Sequence, residues 1–132
     1  MIRYISVQWV VNYHHEVMLA QGQQAVLMGE QGLAKLQAAL MRPQAEAFGE
    51  EAYPELPEKA AVLLQGILVA HPFTDGNKRA AVGAFLSFLE DNGESIETDE
   101  DALYDFVIAV TTGELREVEE IAAEVRRLFS LS

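Results

Sequence analysis

The chain has 132 residues, half of them hydrophobic, and its 21 acidic and nine basic residues give a formal net charge of −12. This length and composition predict one globular domain, residues 1–132, and exclude a disordered chain. A protein with this much negative charge repels the nucleic-acid backbone, and we therefore expect no direct nucleic-acid binding. The absence of cysteine excludes disulfides and thiolate metal ligands. No apolar run reaches the roughly 18 residues of a membrane span and residues 1–4 lack a signal-peptide pattern, so we expect no membrane association and a cytoplasmic location.

Helical periodicity predicts two helices near the N-terminus. Ser6 is a candidate N-cap for the first helix, which we expect to run to about Ala20 and to end at Gly22. The buried stripe of this helix is predicted to consist of Val7, Val10, Val11, Val17 and Met18. Residues 23–31 carry no clear period. A second helix follows, which Pro43 stops near Arg42, and its apolar residues at helical spacing are Leu33, Leu36, Leu40 and Met41.

The middle of the chain predicts a loop and then two apolar helices. Residues 44–57 hold one glycine and two prolines and are expected to form a loop or flap with room for a short extended segment. Pro57 fits the first position of a helix with Glu58 in its first turn, running to about Ala70. The next helix is expected to start near Asn77 and to end at Asn92-Gly93. Both helices are apolar nearly all round, so we place them at the centre of the fold.

Two further helices complete the predicted fold. Thr98 and Asp101 resemble a capping box for a helix that runs to about Val110 and that Thr112-Gly113 breaks. The last amphipathic helix is predicted from Glu114 to Leu128. Its inward residues are expected to be Val118, Ile121, Ala122, Val125, Leu128 and Phe129. With no reliable strand alternation and no repeat, the sequence predicts an all-α, single-domain helical bundle of about six helices.

The densest polar cluster lies between the two central helices and reads His71-Pro72-Phe73-Thr74-Asp75-Gly76-Asn77-Lys78-Arg79. Lys78 and Arg79 fall in the first turn of a helix, where each cation opposes the macrodipole at a cost of about 0.3–1 kcal/mol. That placement makes sense if an anion binds there, with the N–H groups of residues 76–78 as a nest around a phosphate. The Asn77 side chain is expected either to cap the turn or to donate to a phosphate oxygen.

Three other motif residues have predicted roles. A carboxylate beside phosphates usually faces Mg²⁺, so Asp75 is the candidate metal ligand. His71 can accept a proton from an incoming hydroxyl, which predicts that activity falls in mild acid. Phe73 is expected to point into the core and to hold the loop. Taken singly, His71 is also typical of a helix C-terminus, and residues 75–77 of an ordinary turn.

Other candidate sites are weak. His14-His15-Glu16 lacks a second histidine at metalloprotease spacing, so we expect no metal there and place both histidines at the surface or half-buried. Neither a Walker A loop nor a Gly-x-Gly-x-x-Gly fingerprint is present.

The nine-residue motif resembles the Fic/Doc signature, His-x-Phe-x-Asp/Glu-Gly-Asn-Gly/Lys-Arg. Lys78, where Fic proteins carry glycine, makes it similar to the Doc (death-on-curing) toxin branch. Further stretches resemble Doc landmarks in the same order: Leu40-Met41-Arg42-Pro43, Tyr53-Pro54, Lys59-Ala60-Ala61, Phe88-Leu89-Glu90-Asp91-Asn92-Gly93 and Thr112-Gly113-Glu114. The resemblance covers nearly the whole chain and implies an all-α Fic-type fold, with residues 44–57 in the place of a target-docking flap.

The resemblance also implies roles and partners. ATP would be a substrate, His71 the general base, Asp75 the Mg²⁺ ligand, and Gly76, Asn77, Lys78 and Arg79 the phosphate cradle. Fic proteins transfer AMP to a target hydroxyl, whereas Doc toxins transfer the γ-phosphate to a threonine of elongation factor Tu and pair with an antitoxin that binds through a helical segment. Fic enzymes carry a second arginine where this chain has Val82, which favours phosphoryl transfer. An AMP transferase and a non-catalytic module that binds a nucleotide or a translation factor remain the alternatives.

Overall fold

Residues 1–132 form six α-helices and one small β-hairpin in the computed structural model. The helices are α1 (Val7–Ala20), α2 (Gly29–Met41), α3 (Leu56–Ala70), α4 (Asn77–Asp91), α5 (Glu100–Thr112) and α6 (Val118–Phe129). A short 3₁₀ turn, Arg42–Gln44, leads into the antiparallel strands β1 (Glu46–Ala47) and β2 (Glu50–Glu51). The predicted all-α fold is confirmed.

Helix α3 lies at the centre of the molecule and packs against α2, α4, α5 and α6. Its neighbour α4 packs against both α3 and α1. One cluster of 25 buried apolar residues joins all six helices, from Val10 on α1 to Ile121 on α6. Each fully buried Leu, Ile, Val or Phe side chain contributes about 1.5–3 kcal/mol. The prediction of two central apolar helices is therefore confirmed, and the polar motif connects them.

No helix in the structure combines the length and the apolar character needed to cross a lipid bilayer.

Helix α2 begins earlier than the apolar spacing predicted. Residues 23–31 carry no clear apolar period, yet residues 29–31 form the first turn of α2. These three residues are exposed, so no apolar period marks them. The turn is fixed instead by its approach to the motif loop, because the Met28 N–H donates to the Pro72 carbonyl at 2.8 Å.

The starts of α3, α5 and α6 differ from prediction because acidic side chains cap these helices. Glu55 is the N-cap of α3 and pairs with Glu58 in a capping box, so Pro57 takes the second helical position. Glu117 forms the same box with Glu120, and α6 therefore starts at Val118 and not at Glu114.

The predicted capping box of α5 is wrong. Asp99 is the N-cap, and its carboxylate accepts from the backbone N–H groups of Asp101 and Ala102. Thr98 instead donates from its hydroxyl to the Leu128 carbonyl at 2.8 Å, which ties the start of α5 to the end of α6. Helix α5 also continues past Val110 to Thr112. A carboxylate next to the helix N-terminus adds a favourable dipole interaction that threonine lacks.

Helix α1 has the predicted N-cap and an unpredicted buried residue. Ser6 accepts a hydrogen bond from the Trp9 N–H at 3.1 Å, which confirms the cap. Within the predicted stripe Val10 and Met18 are buried, and the other three valines are half-buried. His15 is exposed, as expected, but the prediction is wrong for His14, which is only 2% exposed.

The predicted flap contains the β-hairpin. Lys59, 1% exposed on α3, anchors it by donating from Nζ to Glu51 Oε1 at 2.8 Å and to the Pro43 carbonyl at 3.1 Å. The ammonium group also lies 5.7 Å from the centre of the Tyr4 ring. Lys59 is near the start of α3 and His71 is at its end, about 18 Å away along the helix axis. The hairpin is therefore anchored at the end of α3 opposite His71.

Candidate active site

Six of the seven predicted site residues line one cleft of about 440 Å³. The cleft lies where the end of α3, the start of α4 and the end of α5 meet. Its walls are formed by Gln23, Leu68, His71, Thr74, Asp75, Gly76, Asn77, Lys78, Arg79 and Thr111. The seventh predicted residue, Phe73, is 1% exposed and lies in the core beneath the loop. The structure thus brings the predicted base, metal ligand and phosphate cradle to a common surface.

His71 ends α3 in an unusual backbone conformation. It is the C-cap residue, with φ 51° and ψ 57°, and its N–H donates to the Ile67 carbonyl at 3.1 Å. A left-handed conformation costs a non-glycine residue about 1–2 kcal/mol, and Pro72 then prevents the helix from continuing. Strained residues of this kind cluster at functional sites. The result is an exposed imidazole at the mouth of the cleft.

The loop between His71 and α4 is held by hydrogen bonds from the chain segment before α2. Besides the bond from Met28 to Pro72, the Thr74 N–H donates to the Val26 carbonyl at 2.8 Å. The Val26 N–H donates back to Thr74 Oγ1 at 3.2 Å. Because these contacts fix the loop backbone, the residues on its cleft side are presented from a rigid support.

Asn77 supports the same loop from within. Its side chain is 7% exposed, and both polar atoms are bonded to the main chain of Phe73. The side-chain amide is therefore occupied inside the loop, which leaves the backbone N–H of Asn77, in the first turn of α4, as the polar group still available to a ligand. Its role in binding a phosphate stays a prediction.

The N-terminus of α4 is open towards the cleft. Gly76 precedes it with φ 77°, no side chain caps it and its first turn contains no acidic residue. Lys78 and Arg79 are exposed, and neither forms a salt bridge. Arg79 does donate from Nη1 to the side-chain oxygen of Gln21, at the end of α1. Unpaired N–H groups, the helix dipole and two cations make this the natural anion-binding point of a protein with a net charge of −12.

Asp75 is the one carboxylate in the cleft wall. It is exposed, and its Oδ1 accepts from the Gly76 N–H at 2.8 Å. No group of three or more His, Cys, Asp or Glu side chains in the chain could form a closed metal cage. A single carboxylate fits Mg²⁺, which keeps most of its water ligands and takes the rest from substrate phosphates.

His14 contacts the back of the loop and was missed by the sequence analysis. Its ring stacks on Phe73, with centroids 3.7 Å apart and planes at 12°. Its Nε2 lies 2.8 Å from the Asp75 carbonyl oxygen. The available signal was spacing, because His14 falls between Val10 and Met18 on one helical face and both of those are buried. The other missed cleft-wall residues are Thr74, which occupies an unspecified position of the motif, and three residues outside it: Gln23, Leu68 and Thr111.

A second, apolar groove of about 520 Å³ lies between α1, α4 and α5. It shares Lys78 and Arg79 with the cleft, so these two cations separate the two cavities. The remaining walls are mostly apolar and consist of Tyr13, Val17, Val82, Glu100, Leu103, Tyr104, Val107 and Ile108. Val82, which takes the place of a second motif arginine, thus faces an apolar environment.

A helical fold that presents a histidine, an acidic residue and an uncapped, cationic helix start from one loop defines a Fic-type domain. The sequence model of the Fic/DOC family matches residues 4–89, and the chain therefore belongs to that family. Over 92 residues it is 42% identical to a protein named Toxin Doc from Mycolicibacterium smegmatis. The aligned residues make up 68% of this chain and 70% of that protein. Over 128 residues it is also 31% identical to Protein kinase doc of Escherichia phage P1, and this alignment covers 97% of each chain.

Proposed function

We propose that this protein is a Doc-type toxin that transfers a phosphoryl group from ATP to a hydroxyl group of a protein. The threonine of elongation factor Tu is the proposed acceptor. The observation that carries the proposal is the single cleft in which His71, Asp75 and the uncapped start of α4 meet. The relatives named Toxin Doc and Protein kinase doc support the same class of activity.

In the proposed reaction His71 acts as the general base. Its imidazole accepts the proton of the target hydroxyl, whose oxygen attacks the γ-phosphorus of ATP. The bond from the γ-phosphorus to the bridging oxygen breaks, and ADP leaves with that electron pair. Because His71 is exposed at the mouth of the cleft, a side chain of another protein can reach it.

The phosphates are proposed to bind at the start of α4. The N–H groups of residues 76–78 and the side chains of Lys78 and Arg79 supply the positive potential. Asp75, with phosphate oxygens, would hold Mg²⁺, which neutralises phosphate charge when bound. For that role the Asp75 carboxylate would turn away from the Gly76 N–H, and this N–H would then be free to donate to a phosphate.

Val82 supports phosphoryl transfer over AMP transfer. A second arginine at that position would add a third cation beside Lys78 and Arg79, whereas the valine lines the apolar groove. The site therefore has fewer charges with which to hold a full triphosphate in the AMP-transferring arrangement.

A cognate antitoxin is the proposed partner, and its helical segment is proposed to bind in the apolar groove. An amphipathic helix lays its apolar face into grooves of this kind. The groove adjoins Lys78 and Arg79, so an occupant would lie next to the phosphate cradle. Leu103→Glu should weaken antitoxin binding while leaving transfer intact, since Leu103 does not line the cleft.

Intact-mass spectrometry of elongation factor Tu, after incubation with the protein, ATP and Mg²⁺, tests the function. A phosphoryl-sized mass gain that disappears with His71→Ala is the expected result. An adenylyl-sized gain would instead assign the protein to AMP transfer. Nucleotide binding with no mass gain in any translation factor would favour a binding module and would contradict the proposal.

A further inference from the structure

A buried histidine lies directly behind the proposed phosphate cradle and takes no part in the reaction above. His14 is 2% exposed, although it carries an ionisable ring in the middle of α1. Burying such a polar group is unfavourable unless it is hydrogen-bonded. Its ring packs flat on Phe73, and its Nε2 reaches the Asp75 carbonyl, so both contacts are with the motif loop.

The hydrogen bond fixes the proton on the His14 ring. A carbonyl oxygen only accepts, so Nε2 must carry the hydrogen and donate it to Asp75 at 2.8 Å. No other side chain bonds to this carbonyl. His14 also limits the space beside the next residue, because a Cβ on Gly76 would lie 3.1 Å from Nε2.

This bond determines the direction of the Gly76 N–H. The Asp75–Gly76 peptide is trans, so its C=O and N–H point to opposite sides. With the C=O directed inward at α1, the N–H is directed outward. In agreement, the Gly76 N–H contacts the exposed Asp75 carboxylate on the cleft side. A rotation of this peptide would turn the carbonyl oxygen, a partial negative charge, towards a bound phosphate.

We infer that His14 is a positioning residue of the active site, which orients the Asp75–Gly76 peptide so that its N–H and not its C=O faces the bound phosphate. Stacking on Phe73 holds the imidazole in place, and the Nε2–H bond holds the peptide. Helix α1 thereby takes part in phosphate binding although it contributes no side chain from this face to the cleft. The nucleotide part of this inference rests on the proposed function.

Two substitutions separate the hydrogen bond from the packing. His14→Phe keeps a flat ring against Phe73 but cannot donate to the carbonyl. His14→Gln loses the stack but carries an amide N–H₂ at a reach similar to Nε2. His15→Phe, on the exposed neighbour, is the control for an added aromatic ring on α1. Thermal unfolding of wild type and the three variants tests whether each variant is folded.

Amide spectra of ¹⁵N-labelled protein test the loop without any nucleotide. In His14→Phe the signals of residues 74–78 should shift or broaden, and in His14→Gln they should return towards the wild-type positions. If Gly76 is unchanged in His14→Phe, the inference is wrong. It is also wrong if both variants disturb the core as widely as the loop, because His14 would then serve packing alone.

Calorimetric titration with ATP and Mg²⁺ tests the consequence for binding. The dissociation constant should rise about tenfold in His14→Phe, and should stay within about threefold of wild type in His14→Gln and His15→Phe. Equal affinity in His14→Phe and wild type would overturn the inference. If the wild-type protein itself binds no nucleotide, the proposed function fails, and the amide spectra alone decide the role of His14.

Discussion

The side-chain amide of Asn77 makes two hydrogen bonds to the main chain of Phe73. Its Oδ1 accepts from the Phe73 N–H at 2.9 Å, and its Nδ2 donates to the Phe73 carbonyl at 3.0 Å. All of these atoms are buried, and the Phe73 ring lies in the core. The first residue of α4 is thereby joined to the deepest point of the loop. The loop shape depends on an amide group, because only an amide supplies a donor and an acceptor side by side.

Asn77→Asp should reduce stability by about 1–3 kcal/mol at neutral pH. The substitution keeps the side-chain shape but replaces the donor with a second acceptor, so the buried Phe73 carbonyl loses its partner and faces negative charge. Chemical denaturation measures the change. Asn12→Asp is the matched control, because Asn12 is exposed and uses only its side-chain oxygen, towards Gln8, so it should change stability by less than about 0.5 kcal/mol. Equal effects of the two substitutions would contradict the role of the paired bonds.

Lys78→Ala should raise stability slightly and weaken ATP binding. Lys78 is an exposed cation in the first turn of α4, where it opposes the helix dipole, so its removal should add about 0.3–1 kcal/mol to the free energy of unfolding. In the proposed site the same cation contacts phosphate, and its loss should raise the dissociation constant for ATP about tenfold. Thermal unfolding and calorimetry measure the two quantities. Lys35→Ala removes an exposed lysine that does not line the cleft and should leave the ATP affinity unchanged. A more stable Lys78→Ala variant with full affinity would show that Lys78 is not a ligand.

The helical content and the place of the motif follow from local signals in the sequence. Apolar periodicity predicted the central pair α3 and α4, and Gly76 followed by Asn77 marked the start of α4. Cations in the first turn of a helix predicted an anion site there, because a purely structural sequence would place acids at that position. These signals are contained within a few neighbouring residues, which is why one sequence was sufficient to find them.

Contacts between distant segments could not be predicted in this way. The bond from His14 to Asp75 joins α1 to the motif loop, and the bond from Lys59 to Glu51 fixes the hairpin to α3. A buried lysine or histidine contradicts the usual preference for exposure, and only the partner that compensates for burial explains it. The acidic N-caps Glu55 and Glu117 gave no clear signal for another reason, since glutamate is a weaker capping residue than serine, threonine, aspartate or asparagine.

Lys59→Met should destabilise the fold by about 1.5–3 kcal/mol through loss of the charge-assisted bond to Glu51 and the bond to the Pro43 carbonyl. Methionine replaces the apolar stem and the half-exposed Glu51 can be hydrated, but the buried Pro43 carbonyl loses its partner, so the loss combines the broken bonds with the cost of that unsatisfied acceptor. Glu51→Gln, which keeps a weaker acceptor for Lys59, should cost less. Denaturation together with amide exchange in residues 46–51 measures both effects. An unchanged hairpin in Lys59→Met would contradict the anchoring role.

Lys59 should also make the stability of the protein depend on pH in the alkaline range. Burial alone lowers the pKa of Lys59, but the hydrogen bond to Glu51 and the interaction with Tyr4 outweigh it, so the pKa lies above its ordinary value of 10.5. A group with a raised folded-state pKa stabilises fully below the unfolded pKa, and this stabilisation is lost as pH rises through the folded pKa. The stability advantage of wild type over Lys59→Met should thus persist to about pH 10.5 and shrink above it. A constant difference from pH 7 to 12 would be inconsistent with this titration.

His71→Asn provides a sharper test of the base than His71→Ala does. His71 has a left-handed backbone, which asparagine tolerates and alanine adopts at a cost of about 1 kcal/mol. Both variants should lose phosphoryl transfer, whereas only His71→Ala should lose stability. Transfer assays and thermal unfolding of the same preparations separate the two contributions. Substantial transfer by a stable His71→Asn protein would remove His71 from the chemistry.

Gly83→Ala should destabilise the packing of α1 against α4. In a Tyr13→Ala background the same substitution should instead be stabilising. A Cβ at Gly83 would overlap the Tyr13 ring, which stacks on Trp9 at 5.0 Å. Overpacking costs about 1–3 kcal/mol and the gain in helix propensity returns about 1 kcal/mol, so the net loss should be up to about 2 kcal/mol. In a Tyr13→Ala background the clash is absent, and Gly83→Ala should become stabilising. Because Tyr13 lines the apolar groove, the single variant should also bind the proposed antitoxin helix less tightly. Equal destabilisation in both backgrounds of a double-mutant cycle would show that the cost arises elsewhere on α4.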